Sequence, residues 1–443
     1  MKNPMKSSGR ETALEVLTAC RRLDAWSDGS LRSACRRNGL DRREAALAAR
    51  LTYGVIQNLA LLDFCLDQLC AQRMDRLEPF VRDVLRLGAY QILFMDRVPD
   101  SAAVNEAVEM VKSHRRARAS GMVNAVLRRL SRERDHLRPI PDTDPAYYLS
   151  IRYSHPRWLM ERLLELLGRE EAEAFLAENN RPAPLEIQYN PLKTTREELE
   201  AVFPSGTLTP HSSLPGCYQL SGAGDLEELE SFRTGLFQVQ DPAAKLAVLA
   251  AAPRPGDRVI DVCAAPGGKS FACAMAMEDR GNIISCDIHR HKLALIQEGA
   301  ERLGVTILET ALADGREFHP QWGESADLVL CDVPCSGLGV IRKKPDIRYK
   351  DPAALAKLPE VQLAILRNAS RYVKPGGMLL YATCTILPEE NQGVTGAFLA
   401  EHPGFTREAF SLPGIAGGEE GELTLWPQRH DTDGFYLCKM RKL

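Results

Sequence analysis

The run Val259 to Ser270, VIDVCAAPGGKS, decides the fold. Val259, Ile260 and Val262 are the β-branched residues of a strand buried on both faces of a sheet, and Pro266, Gly267 and Gly268 break that strand before helix-compatible residues resume. The pattern predicts a strand, a tight glycine turn and a helix start. Two glycines let the backbone approach a ligand without Cβ clashes, and the free N–H groups of the new helix form a partly positive cradle suited to a nucleotide-like cofactor. Gly268-Lys269-Ser270 also matches the end of a phosphate-binding loop, with Leu328 to Asp332 (LVLCD) as an acidic strand for magnesium. That loop requires a glycine five residues before Gly268, and Cys263 stands there. A strand-turn-helix that holds no ligand is the plain alternative.

Outward from this loop, strands and helices alternate from Phe237 to the end of the chain. Strands are predicted at Arg258 to Val262, Asn282 to Asp287, Val305 to Thr310, Asp327 to Cys331, Gly377 to Tyr381 and Gly434 to Met440. Such spacing implies a doubly wound α/β sheet whose ligand lies at the carboxyl ends of the strands. Reactive residues fall at those ends. Asp287 closes the second strand, where an acid can accept both hydrogen bonds of a ribose diol, and Asp314 follows the third, placed for an adenine amino group. Asp332, Pro334 and Cys335 follow the fourth in DVPCSG, and Thr383, Cys384 and Thr385 follow the fifth in YATCTILPEEN.

Any one of these acids alone would more often cap a helix, and a free cysteine is usually a small buried hydrophobe, the role expected of Cys20, Cys65, Cys70 and Cys273. Two strand-end thiols and a carboxylate beside a cofactor loop suit one reaction in particular. Carbon-5 of cytosine is a poor nucleophile until a thiolate adds at carbon-6 and an acid is held against N3, which turns the ring into an enamine able to take a sulfonium methyl. The carbon-5 proton must then leave and the thiol be expelled, which gives a second thiol a purpose.

The front of the chain reads differently. From Glu11 to about Arg132 the pattern is helical: Ala13, Val16, Leu17 and Cys20 share a face, as do Val104, Ala107, Val108 and Val111, and then Val123, Val126, Leu127 and Leu130. Residues 1–140 hold 25 Lys and Arg against 17 Asp and Glu, although the whole chain is at −3. Lys112, Arg115, Arg116, Arg118, Arg128, Arg129 and Arg132 form a run without an acid, either a solvated helical surface or a set of phosphate contacts. PIPDTDP (Pro139 to Pro145) reads as a linker. Beyond it come a helix at Trp158 to Leu176, a strand at Leu185 to Tyr189 and a strand-rich patch at Cys217 to Leu220, together a small α+β module.

The 443 residues suffice for two or three domains, and the longest strongly apolar stretch, Leu51 to Leu62, is too short to span a bilayer. The opening MKNPMKSSGRE leads into no apolar signal core, so a cytoplasmic chain with reduced thiols is expected. Twelve cysteines without a C-x-x-C doublet give no zinc motif, and neither a metal nor a membrane is expected.

DVCAAPGGKS, DVPCSG and YATCTILPEEN resemble the signature blocks of the RNA cytosine-5 methyltransferases, and the likeness extends to QVQDPAA (Gln238 to Ala244), VIRKKPDIRY (Val340 to Tyr349) and TDGFYLCKM (Thr432 to Met440). ARLTYGVIQN (Ala49 to Asn58) and MVNAVLRRL (Met122 to Leu130) resemble the NusB-type RNA-binding domain. The combination is similar to the bacterial enzymes that act on cytosine 967 of 16S rRNA. The resemblance implies an α + α/β multidomain chain: a NusB-like all-α RNA-binding domain at 1–138, the small α+β module at 146–235, and a doubly wound Rossmann-like methyltransferase domain at 236–443. It implies S-adenosylmethionine as cofactor, 16S rRNA as partner and a monomer.

By the same resemblance Cys384 is the nucleophile, Cys335 assists product release, Asp332 holds the base edge, and Lys269 lies close to it. Cys263, Ala264, Ala265, Pro266, Gly267, Gly268, Lys269, Asp287, Asp314 and Asp332 would line the cofactor pocket. RNA contacts are expected from Lys112, Arg115, Arg116, Arg118, Arg128 and Arg129, and from Arg342, Lys343 and Arg348. Three positions depart from the family pattern: Val333 replaces an alanine, Thr385 a serine, and IQYN (Ile187 to Asn190) lacks an arginine often found in the middle strand. An RNA-binding assembly or antitermination factor would explain the front but not the two thiols. A DNA enzyme attacking with Cys335 fits the TCT block and the basic helices poorly.

Overall fold

The computed structural model describes residues 8–23 and 27–443, so the start of MKNPMKSSGRE, read above as lacking a signal core, lies outside the described residues through position 7. The chain forms two compact units: Met1–Arg181 together with Ile341–Tyr349, and Pro182–Val340 together with Lys350–Leu443. Division by compactness therefore places the stretch 146–181 with the front helices, and it takes a nine-residue segment out of the α/β half.

The first unit is helical: α1 (Gly9–Leu23), α2 (Ser27–Arg37), α3 (Arg42–Gln57), α4 (Leu59–Asp67), α5 (Pro79–Phe94), α6 (Asp100–Ser113), α7 (Ser120–Glu133), α8 (Pro145–Arg152) and α9 (Arg157–Asn179). The faces read from the sequence are the buried ones. Ala13, Val16 and Leu17 of α1, Val104, Ala107 and Val111 of α6, and Val123, Val126, Leu127 and Leu130 of α7 are all buried. Each large aliphatic side chain so placed contributes about 1.5–3 kcal/mol. At Gly54 a Cβ would lie 2.0 Å from the Tyr90 ring, so this glycine lets α3 and α5 approach closely. Asp144, in the expected linker, instead starts α8 by accepting the N–H of Tyr147, with Pro145 next to it in the first turn. The predicted helix at Trp158 to Leu176 is longer, and Gly168 breaks it with φ +72°.

The second unit holds two sheets. The smaller is antiparallel, in the order β2 (Leu208–Pro210), β3 (Cys217–Leu220), β1 (Leu185–Tyr189), β4 (Phe237–Val239). The larger contains β5 (Arg258–Asp261), β6 (Asn282–Asp287), β7 (Leu308–Leu312), β8 (Ala326–Asp332), β9 (Val373–Thr383), β10 (Phe405–Arg407), β11 (Glu422–Leu425) and β12 (Phe435–Lys442). Its order is β10-β12-β9-β8-β5-β6-β7, with β11 beside β12; the pairs among β5 to β9 are parallel, and β12 runs antiparallel to β9. Strand order reverses at β5, so the crevice beyond its carboxyl end, between the β5 and β8 connections, is where such a sheet takes a ligand.

Val305, expected to open the third strand, closes a helix instead: Gly304 adopts φ +73° at the end of Arg290–Leu303, and the Val305 N–H returns to Ala300 O. The strand begins three residues later. Asn190, at the point where IQYN departs from the family pattern, is fully buried and donates to Gly235 O and Leu303 O at 2.8 Å each, which ties the small sheet to that helix.

Candidate active site

The loop from Val262 to Gly267 leaves β5 and leads into the helix Gly268–Ala276. Gly267 has φ +106°, and a Cβ there would lie 2.4 Å from the Phe271 ring, so both its conformation and its packing require glycine. Beneath the loop, Asp261 is buried and accepts the Ser270 hydroxyl at 2.8 Å, while Ser285 donates to Ser270 at 2.8 Å. Burial, partly offset by the Ser270 hydrogen bond, pushes the Asp261 carboxyl up to about 6. In the sequence Asp261 was only the last polar residue of a strand; its place in a buried hydrogen-bond chain depends on Ser270 and Ser285, which carry no signal of their own.

A cavity of about 540 Å³ opens at the carboxyl ends of β5, β6, β7 and β8, within the range of small-ligand pockets. Of the residues expected to hold a cofactor, Cys263, Ala265, Asp287, Asp314 and Asp332 line it; Ala264, Pro266, Gly267, Gly268 and Lys269 do not, and shape the loop behind. Asp287 accepts the His289 N–H at 2.8 Å and lies 3.6 Å from Lys292. Arg316, which the sequence reading passed over, holds Asp314 through its Nε at 3.0 Å and depresses that carboxyl's pKa. Apolar walls come from Ile288, Val361 and Ile365. Val361 and Ile365 sit on one helix, where lone apolar positions read as core, and Ile288 lies in the bend just past β6, where a single apolar residue gives no signal.

Cys335 and Cys384, 49 residues apart in sequence, meet at the same cavity with their Sγ atoms 3.2 Å apart. The contact polarises the pair. The hydrogen bond from Cys335 holds the Cys384 thiol below its ordinary value, against burial, whereas the bond to Cys384 and burial push Cys335 well above it. Cys384 is thus the more readily ionised member of the pair. Lys269 Nζ sits 2.6 Å from Asp332 Oδ2 and 5.1 Å from the Phe435 ring centre. Burial opposes its charge, but Asp332 and Asp261 outweigh that and raise its pKa. The third pocket thiol, Cys263, is driven far up by burial and stays neutral. Among the cysteines expected to be small hydrophobes, Cys65 and Cys273 are buried, and Cys20 and Cys70 are half-buried.

Of the expected RNA contacts, Lys112, Arg115, Arg118, Arg128 and Arg129 are exposed, while Arg116 lies over the Phe80 ring at 4.2 Å and pairs with Glu78. Two of the cations after the fourth strand are corrected. Arg348 is fully buried; its guanidinium donates to the carbonyls of Gln57, Tyr153, Ser154 and Pro345 and to Asn180 Oδ1, and burial pulls its pKa down to about 10. Arg342 is buried against Glu178 at 3.0 Å. Neither side chain is available to a nucleic acid, because each serves as a hydrogen-bond anchor inside the helical unit. Lys343 is half-buried.

Among the described residues no helix by itself is long and apolar enough to cross a membrane, and no group of three or more His, Cys, Asp or Glu could hold a metal ion.

Three segments of the chain match known family models. Residues 248–441 match the family model of 16S rRNA methyltransferase RsmB/F, residues 7–132 the NusB family, and residues 155–215 the ferredoxin-like domain of RsmF/B-like methyltransferases. A probable ribosomal RNA small subunit methyltransferase B of Bacillus subtilis is 36% identical over 99% of this chain and 99% of its own. The ribosomal RNA small subunit methyltransferase B of Klebsiella pneumoniae is 33% identical over 90% of each. Among solved structures, that of PH0851 superposes with a TM-score of 0.82 at 26% identity over the full length of both chains. With a NusB-like front, a ferredoxin-like module and a Rossmann-like methyltransferase sheet in one chain, and with identity of this extent, the protein belongs to the 16S rRNA methyltransferase RsmB/F family.

Proposed function

We propose that the protein transfers a methyl group from S-adenosylmethionine to carbon-5 of a cytosine in 16S rRNA, with cytosine 967 as the target, through a covalent adduct of Cys384 at carbon-6. The observation that carries this reading is the thiol pair. A single half-buried cysteine would be explained as a small hydrophobe; two in contact, one acidified by the other, at a cavity shared with Asp332 and its lysine, call for nucleophilic chemistry. Names of the relatives, which state action on small-subunit ribosomal RNA, supply the substrate class.

The cavity fits the cofactor in size and lining. Asp287 suits the ribose hydroxyls, Asp314 the adenine amino group, and Ile288, Val361 and Ile365 the apolar faces. When bound, S-adenosylmethionine supplies an electrophilic methyl group on a sulfonium. Cys384 adds as thiolate to carbon-6 while the Lys269 ammonium lends its proton through the Asp332 carboxyl to N3, to be returned when the C6–S bond breaks, so the electron pair of the C5–C6 bond becomes available at carbon-5. Bonding of Cys384 removes the charge that kept Cys335 protonated, and Cys335 then gives its proton to solvent at the cavity mouth, which is the one proton the reaction releases. Once carbon-5 is methylated, Cys335 takes its proton, the C6–S bond breaks, and Cys384 leaves as thiolate.

The helical front, residues 1–138, would carry the RNA backbone on Lys112, Arg115, Arg116, Arg118, Arg128 and Arg129, residues 146–235 would act as the small module, and residues 236–443 would perform the chemistry, in a cytoplasmic monomer. Bisulfite sequencing of 16S rRNA from a strain lacking the protein tests the reading: cytosine 967 should lose its protection from conversion, and a retained mark would refute the target.

A further inference from the structure

The loops that carry Cys335 and Cys384 leave adjacent strands, and backbone bonds join them on either side of the thiols, from the Val333 N–H to Ala382 O at 3.2 Å and from the Gly339 N–H to Cys384 O at 2.9 Å. The residues just after each cysteine add side-chain bonds closer to the 3.2 Å thiol contact. Ser336 Oγ and Thr385 Oγ1 lie 2.6 Å apart, in a buried hydrogen bond. Glu390, six residues beyond Cys384 and 1% exposed, reaches across to accept the backbone N–H of Ser336 at 2.9 Å. The same oxygen accepts the amide of Gln362 at 2.8 Å, and that amide also donates to Pro334 O at 3.0 Å. Glu390 thereby grips the Cys335 loop on both sides of the cysteine. Its backbone is held in turn, since Tyr381 donates its hydroxyl to Glu390 O at 2.6 Å. The other carboxylate oxygen, Oε1, is buried and takes no hydrogen bond among the described residues.

A buried carboxylate used only as a strap is an expensive choice, because a glutamine could accept the same N–H without desolvating a charge. What a carboxylate adds is its field on the neighbouring thiol. Facing Cys335 are Cys384, Glu390, Asp332 and the Tyr381 hydroxyl, and Lys269 and Asp433 face Cys384. Glu390 and Asp332 both oppose ionisation of Cys335, Asp332 and Asp433 oppose that of Cys384, and a cation stands on each side: Lys269 favours the Cys384 thiolate, and Lys350 Nζ donates to Ser336 O beside Cys335 at 2.6 Å.

We propose that Glu390 is a positioning residue for the release step: it straps the Cys335 loop against the Cys384 loop and, by its charge, keeps Cys335 as the proton-bearing member of the pair until Cys384 is bonded to the base. The inference rests on the cysteine roles assigned under the proposed function, and it extends to a residue that touches neither substrate nor cofactor.

Glu390→Gln keeps the shape and the acceptor but removes the charge; Glu390→Asp keeps the charge but shortens the reach. The full-length protein is mixed with transcribed 16S rRNA and S-adenosylmethionine across a pH series, with adduct formation and adduct decay followed on denaturing gels beside Cys335→Ala and Cys384→Ala. Loss of a hydrogen bond to a charged group should slow release about tenfold in the aspartate variant. In the glutamine variant the acidic limb of release should move to lower pH, because the Cys335 thiol ionises more readily without the neighbouring charge, while the plateau rate of release stays within about threefold of wild type. A merely structural role would slow both steps and leave the pH limb in place, and that outcome overturns the proposal. If Cys335→Ala traps an adduct and both Glu390 variants release it as the wild type does, the proposal fails and the cysteine assignment stands; if Cys335→Ala traps nothing, the assignment itself fails.

Discussion

Lys269 Nζ lies 2.6 Å from Asp332 Oδ2, which joins the first turn of the helix after the glycine loop to the tip of β8. The lysine is 13% and the aspartate 29% exposed, so the pair is neither a solvated surface bridge nor fully desolvated. Lys269→Met fills the space over Phe435 but leaves Asp332 without its cation. Methyl transfer should fall about a hundredfold, in the range of lost acid–base assistance. A rate within about threefold of wild type would remove Lys269 from the machinery.

Between the two thiols the asymmetry is directional, and it is measurable. Because the hydrogen bond from Cys335 is what lowers Cys384, the midpoint of adduct formation in the wild type should lie below that of an ordinary thiol. In Cys335→Ala the donor is gone, so the limb of adduct formation should move to higher pH even as the adduct accumulates. Cys384→Ala should form no adduct at any pH. Accumulation in Cys384→Ala instead would reverse the two roles.

Asp261 gives a stability prediction of definite sign. Its carboxyl is pushed up to about 6 in the folded protein against about 3.9 unfolded, so between those values the folded state binds the additional proton. Its contribution is therefore most favourable at low pH and declines as pH rises through that window, by roughly 3 kcal/mol at most. Asp261→Asn should flatten this part of the profile in urea unfolding between about pH 4 and pH 6.5. An unchanged slope would mean that the carboxyl titrates elsewhere.

Much of this site was legible in the sequence because its parts sit at strand ends, where residue type and position coincide: the glycine turn, Asp287, Asp314, Asp332 and both cysteines. What stayed hidden depends on side-chain burial and on partners far away in the chain. The run from Arg342 to Arg348 reads as a basic surface, yet Arg348 finds its acceptors at Gln57, Tyr153, Ser154 and Asn180, and no local pattern announces that. Val305 has the β-branched character of a strand residue, and Gly304 overrides it by closing a helix.

For the helical unit, Arg115→Glu, Arg118→Glu and Arg128→Glu together reverse three exposed cations. Each phosphate contact contributes about 0.7–0.9 to the slope of log affinity against log salt, so the combined variant should bind rRNA more weakly and lose roughly two in slope. A filter-binding series from low to high salt measures both. Wild-type slope in this variant would move the RNA surface to another face.

The chain passes between its two units three times, at Arg181 to Pro182, Val340 to Ile341 and Tyr349 to Lys350. Neither unit is thus a cassette that can be lifted out by a single cut. A fragment beginning at Pro182 would carry Ile341 to Tyr349 as an orphaned loop, its guanidinium stripped of the carbonyls of residues 57, 153 and 154, and a fragment ending at Arg181 would keep those carbonyls with nothing to answer them. Shuffling this front onto a different catalytic half would require transplanting the nine-residue stitch as well.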